Sequence, residues 1–455
     1  MLDRRRPMLW LLAVLVTANL SLVALAPDVR TEVLRFFESW VLPPRPGFSV
    51  RSAVDPFCES RKYVLYVPEQ PPPQDGYPLI LYLNGYGEDG DDAVSPLRNA
   101  LAPAVWDRQH EFPFLVIFAQ CPKGESWVGA AKAAQQAFAI LDEVERVFRV
   151  DPERICLTGI SSGGSGVWAV AALRPERFAA AVPVSAGGAD AASVQAIVAA
   201  GLPVWSFHLR DDVQVADGNR RTRQALVDAG SSPRFSEIDG ARDKHSDGHN
   251  AWDFAFRNPI LYDWLLRQRR STNADHARQF QRIFDRRDPA GFHCSDAPAW
   301  VMNDERELCC LGGHGADAWI ETAATLTDFE LHFEFQHDSA AHWFLETSGM
   351  LFAFRSADAG SCELLKLADR QWLADGDPVA QRTFRPGAWN DIRVTARSGN
   401  LSIELNGWPL LSVSRSAKAG SCIRLAVPAA NETPIVWRDA RIRESIASGE
   451  GAHGR

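Results

Sequence analysis

Between residues 61 and 269, short apolar runs alternate with segments in which apolar residues recur every three or four positions. The short runs are typical of buried strands, and the longer periodic segments are typical of helices that pack on one face. Strands joined through helices lie parallel, because each helix returns the chain to the same end of the sheet. This half of the chain therefore predicts an α/β domain, a mostly parallel sheet flanked by helices. The predicted strands are 62–67, 79–83, 114–119, 155–158, 179–184, 203–208 and 234–238, and the predicted helices are 130–148, 166–173, 220–229 and 251–267.

The pattern changes after this domain. Residues 271–297 are predicted to be a linker, whose charged part at 271–287 is linking or helical, and residues 298–445 contain many short strands separated by Gly, Asn and Asp turns. Such spacing is typical of an antiparallel β-sandwich. The sequence therefore predicts an α/β domain at 51–270, a C-terminal β-sandwich at 298–445 and a disordered tail at 446–455. The predicted sandwich strands are 329–335, 350–354, 391–396, 401–405 and 435–442.

Residues 1–26 are predicted to be a targeting segment. Three arginines at positions 4–6 precede an apolar run at 8–26, which ends in the small-residue pattern Ala24-Leu25-Ala26. This arrangement is typical of a secretory signal peptide, but the run is also long enough to remain as a membrane anchor. We expect an exported protein, periplasmic, secreted or membrane-anchored, with residues 27–50 as a linker. The choice between cleavage and anchoring stays open.

The strongest local signal is the segment Gly159-Ile160-Ser161-Ser162-Gly163, which follows the predicted strand 155–158 and opens a helix. A G-x-S-x-G pattern between a strand and a helix is typical of the nucleophile elbow of α/β-hydrolases. The turn is tight, so small residues must flank a serine whose hydroxyl projects above the sheet edge. The pattern predicts an α/β-hydrolase fold with Ser161 as the nucleophile.

A serine nucleophile needs a histidine base and a carboxylate that orients the base. In this fold the acid and then the histidine follow the serine along the chain. Asp211 and Asp212 come just after the sixth predicted strand, and we favour Asp212 as the acid, with Asp211 as the alternative. His249 lies between the last predicted strand and the last helix. It is preferred as the base over His245, which lies in a more polar run.

The oxyanion of an acyl-transfer intermediate is stabilised by N–H donors. The loop Asn84-Gly85-Tyr86-Gly87 follows the predicted strand 79–83, and its glycines allow the Tyr86 N–H to face the oxyanion. The Ser162 N–H, at the start of the helix, is the second predicted donor. Trp127 and Trp252 are candidate walls of the substrate pocket, although core packing is the more common role of tryptophan.

These motifs resemble those of compact bacterial esterases of the α/β-hydrolase superfamily, related to polyhydroxybutyrate depolymerases and feruloyl esterases. The group is also described as phospholipase/carboxylesterase or prolyl-oligopeptidase-like. The matching segments, in order, are 79–92, 120–122 with 126–127, 150–164, 174–178 and 248–252. The resemblance implies the triad Ser161, Asp212 and His249. Two positions depart from the family pattern, since Asn84 replaces a histidine before the loop glycine and Leu209 replaces a glycine after the strand-end histidine.

Residues 318–444 resemble a second family, the concanavalin-like sandwich called the 3-keto-disaccharide hydrolase domain. The matching segments are 328–331, 348–351, 389–391, 405–407 and 437–444. This resemblance implies contact with carbohydrate, but spacing identifies no acid–base pair for sugar chemistry. Trp343, Trp372, Trp389 and Trp408 are candidates for stacking on sugar rings, although a buried position is favoured for any one of them.

The formal net charge is −9, with acidic and basic residues interspersed. Nucleic acid is therefore not expected as a partner, because phosphate binding needs a concentrated basic face. The eight cysteines fit an exported chain. Cys156 is predicted to be a buried, unreactive strand residue, and Cys309, Cys310 and His314 match no zinc spacing, so a structural or disulfide role is favoured there. Neither a metal nor an organic cofactor is expected.

Together these features predict an exported serine hydrolase that cleaves a carboxylic ester. The hydrolase segment has no long insertion that would form a lid, which favours a carbohydrate-linked or polymeric ester as substrate. Two alternatives stay open. A serine peptidase of the prolyl-oligopeptidase type shares the triad, but it usually carries a propeller, whose repeat pattern this sequence lacks. A non-catalytic carbohydrate-binding surface protein would keep the fold as a scaffold, but the complete triad argues against it.

Overall fold

The computed structural model describes the α/β domain almost continuously and the C-terminal domain with more gaps. The predicted targeting segment at 1–26 and the predicted tail at 446–455 lie outside the described residues. Within the described ranges, no helix is both long enough and apolar enough to cross a membrane. The described residues are 46–54, 57, 59–128, 132–238, 248–271, 281–282, 292–294, 300–302, 307–310, 317–322, 326–337, 342–347, 350–357, 361–366, 371–372, 384, 387–397, 399–414, 422–428 and 434–444.

The N-terminal domain is built on one eight-stranded sheet. Its strands are β1 (Gly47–Val54), β2 (Ser60–Val67), β3 (Tyr77–Leu83), β4 (Leu115–Ala119), β5 (Val150–Ile160), β6 (Ala180–Val184), β7 (Trp205–Leu209) and β8 (Arg234–Ile238). They lie in the order β1-β2-β4-β3-β5-β6-β7-β8. Strand β2 runs antiparallel to both of its neighbours, and β3 to β8 run parallel. This sheet confirms the α/β-hydrolase fold that the sequence predicts.

Helices cover both faces of the sheet and close two hydrophobic cores. The helices of the described part are α1 (Leu101–Asp107), α2 (Lys132–Val147), α3 (Ser162–Leu173), α4 (Ala191–Ala199), α5 (Ala216–Asp228), α6 (Trp252–Ala255) and α7 (Pro259–Arg267). Apolar side chains of α2 to α5 fill one core, and those of α1, α6 and α7 fill the other. The single predicted helix 251–267 is wrong, because Asn258 caps α7 by accepting the Ile260 N–H at 3.0 Å and Pro259 fits only a first helical turn.

The C-terminal domain is a β-sandwich of two antiparallel sheets, as the sequence predicts. Its strands are β9 (Gln281–Arg282), β10 (Phe292–Cys294), β11 (Trp300–Met302), β12 (Leu308–Cys310), β13 (Ala318–Thr322), β14 (Phe329–His337), β15 (His342–Thr347), β16 (Met350–Ala357), β17 (Ser361–Lys366), β18 (Gln371–Trp372), β19 (Asn390–Arg397), β20 (Asn400–Leu405), β21 (Trp408–Ser414), β22 (Arg424–Val427) and β23 (Ile435–Glu444). The orders are β10-β13-β22-β15-β16-β17-β18 in one sheet and β11-β12-β23-β14-β19-β20-β21 in the other. The predicted linker 271–297 is wrong in part, because β9 pairs with β23 and β10 pairs with β13.

Aromatic side chains fill the space between the two sheets of the sandwich. The indole of Trp343 stacks on the ring of Phe354, with centroids 4.0 Å apart. Phe335 and Trp437 pack against the same indole from other sides. The alternation of apolar and polar residues along β14 and β19 directs one set of side chains into this core and the other set outward.

The four tryptophans that the sequence suggests for sugar stacking do not form an exposed set. Trp343 and Trp408 are 0% and 4% exposed, so both belong to the sandwich core. Trp389 lies against the guanidinium of Arg438, 3.8 Å from the ring centroid. The side chain of Trp372 is outside the described part of the chain.

The outer face of the β11–β21 sheet packs against the N-terminal domain. The tight turn between β20 and β21 brings Gly407 against the indole of Trp205 on β7. The Asn258 side chain donates from Nδ2 to the Gly407 carbonyl at 2.6 Å. Arg234 on β8 forms a buried ion pair with Glu404 on β20. The two domains therefore share a close-packed and charged interface.

Gly407→Ala tests this interface. Gly407 has a φ of +81°, and an added Cβ would collide with Ser236 Oγ and lie 2.8 Å from Trp205 Cζ2. Gly230 is a matched control, with a φ of +93° but nothing within 4 Å of an added Cβ. Both substitutions strain the backbone by about 1 kcal/mol. We expect Gly407→Ala to lower the free energy of unfolding by a further ~1–3 kcal/mol in urea denaturation, and equal losses in the two variants would contradict this interface.

Candidate active site

Ser161 occupies a strained turn between β5 and α3. Its φ of 53° lies in the left-handed region, which L-residues avoid unless the surrounding structure holds them there. The strands hold it through the Ser161 N–H, which donates to the Val184 carbonyl at 2.9 Å. An added Cβ at Gly159 would lie 2.6 Å from the Gly163 carbonyl oxygen, and one at Gly163 would collide with the Leu83 carbonyl. The glycines of the motif are therefore required by close backbone approach.

His249 joins the other two predicted triad residues. Its Nε2 lies 2.9 Å from Ser161 Oγ, and its Nδ1 lies 2.6 Å from Asp212 Oδ2. Because a carboxylate can only accept, Nδ1 carries a proton and neutral imidazole presents Nε2 as an acceptor toward the serine hydroxyl. Asp212 is 2% exposed, and its other oxygen accepts the Gln214 N–H at 3.1 Å. The arrangement can remove a proton from Ser161 and stabilise the imidazolium that results.

The alternative acid from the sequence, Asp211, is not the carboxylate bonded to His249. The side chain of Asp211 is 55% exposed and lies 3.8 Å from Arg210 Nε, away from the histidine. His245 lies outside the described residues.

Ser185 supports the histidine loop and was missed by sequence reasoning. Its hydroxyl donates to the His249 carbonyl at 2.5 Å and accepts the Ala251 N–H at 3.3 Å. Trp252 packs edge-on against the His249 ring, with centroids 5.5 Å apart, and stays half-buried beside the site. Its position in the sequence indicates this role, because Ser185 directly follows β6 and so lies at the same sheet edge as Ser161.

The two predicted oxyanion donors both lie at the start of a helical turn. Tyr86 opens a 3₁₀ turn, Tyr86–Glu88, and Ser162 opens α3. Amides at the first positions of a helix have no partner within it. Neither N–H donates to an acceptor in the part of the chain that the structure describes. Both amides can therefore donate to a negatively charged oxygen.

Buried hydrogen bonds hold the loop that carries Tyr86. Asn84 donates from Nδ2 to the Gly85 carbonyl at 2.7 Å and to Asp89 Oδ1 at 2.9 Å, and its Oδ1 accepts the Cys121 N–H at 2.7 Å. The Trp127 indole N–H donates to the Asn84 carbonyl at 3.1 Å. Trp127 is only 2% exposed, so the prediction that it walls the pocket is wrong. Its ring packs in the core and its N–H supports the loop.

Glu88 ends the same loop as a buried carboxyl group. Its Oε2 accepts the Gly85 N–H at 3.1 Å, and its carbonyl accepts from Gln120 Nε2 at 2.8 Å. Burial raises the pKa of Glu88 to about 7, and the Asp89 carboxylate also raises it, while the Gly85 N–H and Arg98 act in the opposite direction. The charge of Glu88 therefore changes near neutral pH, two residues after Tyr86 in the chain.

Glu88→Gln should make the stability of the protein depend less on pH between pH 5 and pH 8. Because the pKa of Glu88 is higher in the folded state than its ordinary value of 4.5, the folded state binds more protons, and stability falls as pH rises from about 4.5 to about 7. Glutamine keeps an acceptor for the Gly85 N–H and cannot ionise. We expect the drop in Tm between pH 5 and pH 8 to be smaller in Glu88→Gln, whereas the exposed control Glu125→Gln should behave as wild type. An unchanged drop in Glu88→Gln would show that this carboxyl does not titrate in that range.

Comparison with protein families gives one match. Residues 279–443 match the model of the 3-keto-alpha-glucoside-1,2-lyase-like domain. This match confirms the resemblance of the sandwich domain and extends it toward β9. A search of curated proteins finds no match to this chain.

Solved structures resemble each part of the chain at low similarity. A thermostable esterase is 28% identical, with 49% of this chain and 63% of that protein covered and a TM-score of 0.44. The chain thus spans less than two thirds of that esterase. The fluorophosphonate-binding serine hydrolase F of Staphylococcus aureus is 15% identical over 49% of this chain and 100% of its own, with a TM-score of 0.39. The carbohydrate-binding module CBM66 from Bacillus subtilis is 12% identical over 34% of this chain and 96% of its own, with a TM-score of 0.26.

Proposed function

We propose that this protein is an exported serine esterase that hydrolyses carboxylic esters through an acyl-enzyme on Ser161. The observation that carries the proposal is His249, which contacts Ser161 Oγ through one ring nitrogen and Asp212 through the other. A hydroxyl, an imidazole and a buried carboxylate connected by hydrogen bonds in this order are the groups that nucleophilic acyl transfer requires. The mechanism requires no metal or organic cofactor.

In the first half-reaction, Ser161 Oγ attacks the ester carbonyl carbon and its proton passes to His249 Nε2. A bond forms between Oγ and carbon, and the carbonyl electron pair moves onto oxygen. The Asp212 carboxylate fixes the tautomer of the neutral imidazole and stabilises the imidazolium that forms. When the tetrahedral intermediate collapses, the bond to the alcohol oxygen breaks and His249 returns the proton to that oxygen. Water then attacks the acyl carbon while His249 Nε2 takes its proton. The bond between that carbon and Ser161 Oγ breaks, His249 returns the proton to Oγ, and the carboxylic acid is released.

The developing oxyanion is stabilised by the Tyr86 and Ser162 amides. These donors are fixed before substrate binds, because Tyr86 lies on the loop held by Asn84 and Ser162 lies on the first turn of α3. Fixed donors stabilise charge in the transition state without reorganising. The negative charge also meets the positive end of the α3 dipole, which favours an anion at that position.

The substrate proposed is an ester on a glycan or polymer. The site lies at an open surface of the described structure, since Tyr86 is 78% exposed and Val213, next to the triad acid, is 98% exposed. An open rim accommodates an ester that projects from a large molecule, whereas a small ligand is normally enclosed. The sandwich domain, whose family model is named for a sugar reaction, supports a carbohydrate-linked ester. Export, with cleavage or retention of residues 1–26, belongs to the same proposal.

Ser161→Ala should abolish labelling of the full chain by a fluorophosphonate probe and lower ester turnover by on the order of 10⁴ or more. The side chain loses one oxygen, so circular dichroism and Tm should stay close to wild type. Labelling that survives in Ser161→Ala would move the nucleophile elsewhere.

The substrate class is tested with the same two proteins, Ser161→Ala serving as the blank. A panel should pair each acyl group on a small alcohol with the same acyl group on a glycan, a lipid and a polyhydroxyalkanoate. We expect a higher kcat/KM on the glycan or polymer member of each pair. Activity restricted to small soluble esters would reject the proposed substrate class but not the proposed esterase activity. Turnover of peptide amides instead of esters would reject both the substrate class and the esterase activity.

Asp212→Asn should lower turnover by on the order of 10⁴, because asparagine favours the wrong imidazole tautomer. Asp211→Asn is the matched control, an adjacent carboxylate that is half exposed and lies 3.8 Å from Arg210 Nε. It should change turnover by less than about tenfold. The reverse ranking would assign the acid to Asp211.

A further inference from the structure

A cavity of about 120 Å³ lies between the two domains. The hydrolase domain contributes residues 201–204, which lead into β7, and 231–234, which lead into β8. The sandwich contributes the outer face of β14, β19, β20 and β23. Because β7 and β8 are parallel and Asp212 follows the carboxyl end of β7, the cavity lies at the opposite edge of the sheet from the triad. The interdomain cavity is therefore separate from the candidate active site.

The described lining of this cavity carries an excess of positive charge. Five arginines and two glutamates line it: Arg234, Arg267, Arg393, Arg397, Arg443, Glu330 and Glu404. Both carboxylates are already engaged, Glu404 by Arg234 and Glu330 by Arg443 at 2.6 Å and Arg393 at 3.2 Å. The nearby Asp391 is paired with His332. The lining arginines outnumber the lining carboxylates by three, and two carboxylates outside the lining act on them, Asp328 on Arg397 and Asp391 on Arg234.

Two of these guanidinium groups are deeply buried. Arg234 is 6% exposed and lies 3.8 Å from the centroid of the Trp205 ring, and Arg393 is 3% exposed. Burial lowers the pKa of Arg234 well below its usual value, and the like charge of Arg393 lowers it further. Within the described chain, Arg234 Nε and Arg393 Nε and Nη2 have no hydrogen-bond partner. A buried cluster of like charges is unfavourable unless an opposite charge compensates it.

We propose that the interdomain cavity binds a small oxyanion of the size of phosphate or sulfate, held by the unpartnered N–H groups of the buried Arg393. The guanidinium fork pairs with two oxygens of such an anion at once, and the cavity volume accommodates one such ion. Arg393 meets the anion from the sandwich and Arg267 from the hydrolase domain. The bound anion bridges the two domains and stabilises their docking, since any ligand that binds only the folded, docked state shifts the unfolding equilibrium.

The test is thermal unfolding of the full chain in inorganic phosphate or sodium sulfate, against sodium chloride at matched ionic strength, with calorimetric titration of phosphate for stoichiometry. We expect a saturable rise in Tm of about 3 °C or more and one phosphate bound per chain. Arg393→Gln and Arg267→Gln should each weaken binding at least tenfold. Arg146→Gln, at an exposed arginine on α2 paired with Glu143, should bind as wild type.

Arg267→Gln tests the proposal even where Arg393→Gln does not fold. Arg393 also pairs with the buried Glu330, so Arg393→Gln can fail to fold, whereas Arg267 is exposed at the rim and its loss leaves that pair intact. Equal stabilisation by chloride, or undiminished phosphate binding in Arg267→Gln and in folded Arg393→Gln, would overturn the proposal. Stabilisation by a neutral disaccharide in place of any anion would overturn it as well, because it would make the cavity a sugar site.

Discussion

The candidate active site depends on one constraint, that neighbouring parallel strands end at the same edge of a sheet. Ser161, Ser185, Asp212 and His249 follow β5, β6, β7 and β8, so the strand order itself brings them together. Ser161 and Ser185 both have a positive φ, which costs about 1 kcal/mol or more at a residue with a side chain. Their backbone N–H groups donate to carbonyls of the adjacent strand, at Val184 and Phe207. Sheet pairing therefore offsets the strain at Ser161, the proposed nucleophile, and at Ser185.

The other edge of the same sheet meets the sandwich domain through charge. Alternation along β14 and β19 buries Phe333 and Ile392 in the sandwich core and presents Glu330 and Arg393 to the hydrolase domain. Removing charges from water is unfavourable unless each finds a partner. The ion pairs of this interface join the two domains, while the hydrogen bonds of the candidate triad lie within the hydrolase domain.

The sequence predicted the elements whose patterns are local and strong. All seven predicted strands of the α/β domain exist, and Arg234–Ile238 has the predicted bounds. Strand β1, which is only partly buried, and the short helices α1 and α4 were not predicted, because α1 has seven residues and α4 is apolar on most faces and lacks a helical period. The triad residues followed from the motif and its strand context. The bond from Ser185 to His249 joins positions 64 residues apart, and only the strand order brings such residues into contact.

The resemblance to compact esterases implies a histidine at position 84, and the bonds of Asn84 show how an amide holds the predicted oxyanion loop. The amide uses two donors, toward the Gly85 carbonyl and Asp89, and one acceptor, toward the Cys121 N–H. A neutral imidazole has one donor and one acceptor and cannot make all three bonds. Cys121 follows β4, which pairs with β3, so the Asn84 bond ties the loop to the end of the adjacent strand. Since an amide does not titrate, the pH sensitivity of this loop lies with its carboxylates, Glu88 and Asp89, both of whose pKa values are raised by burial.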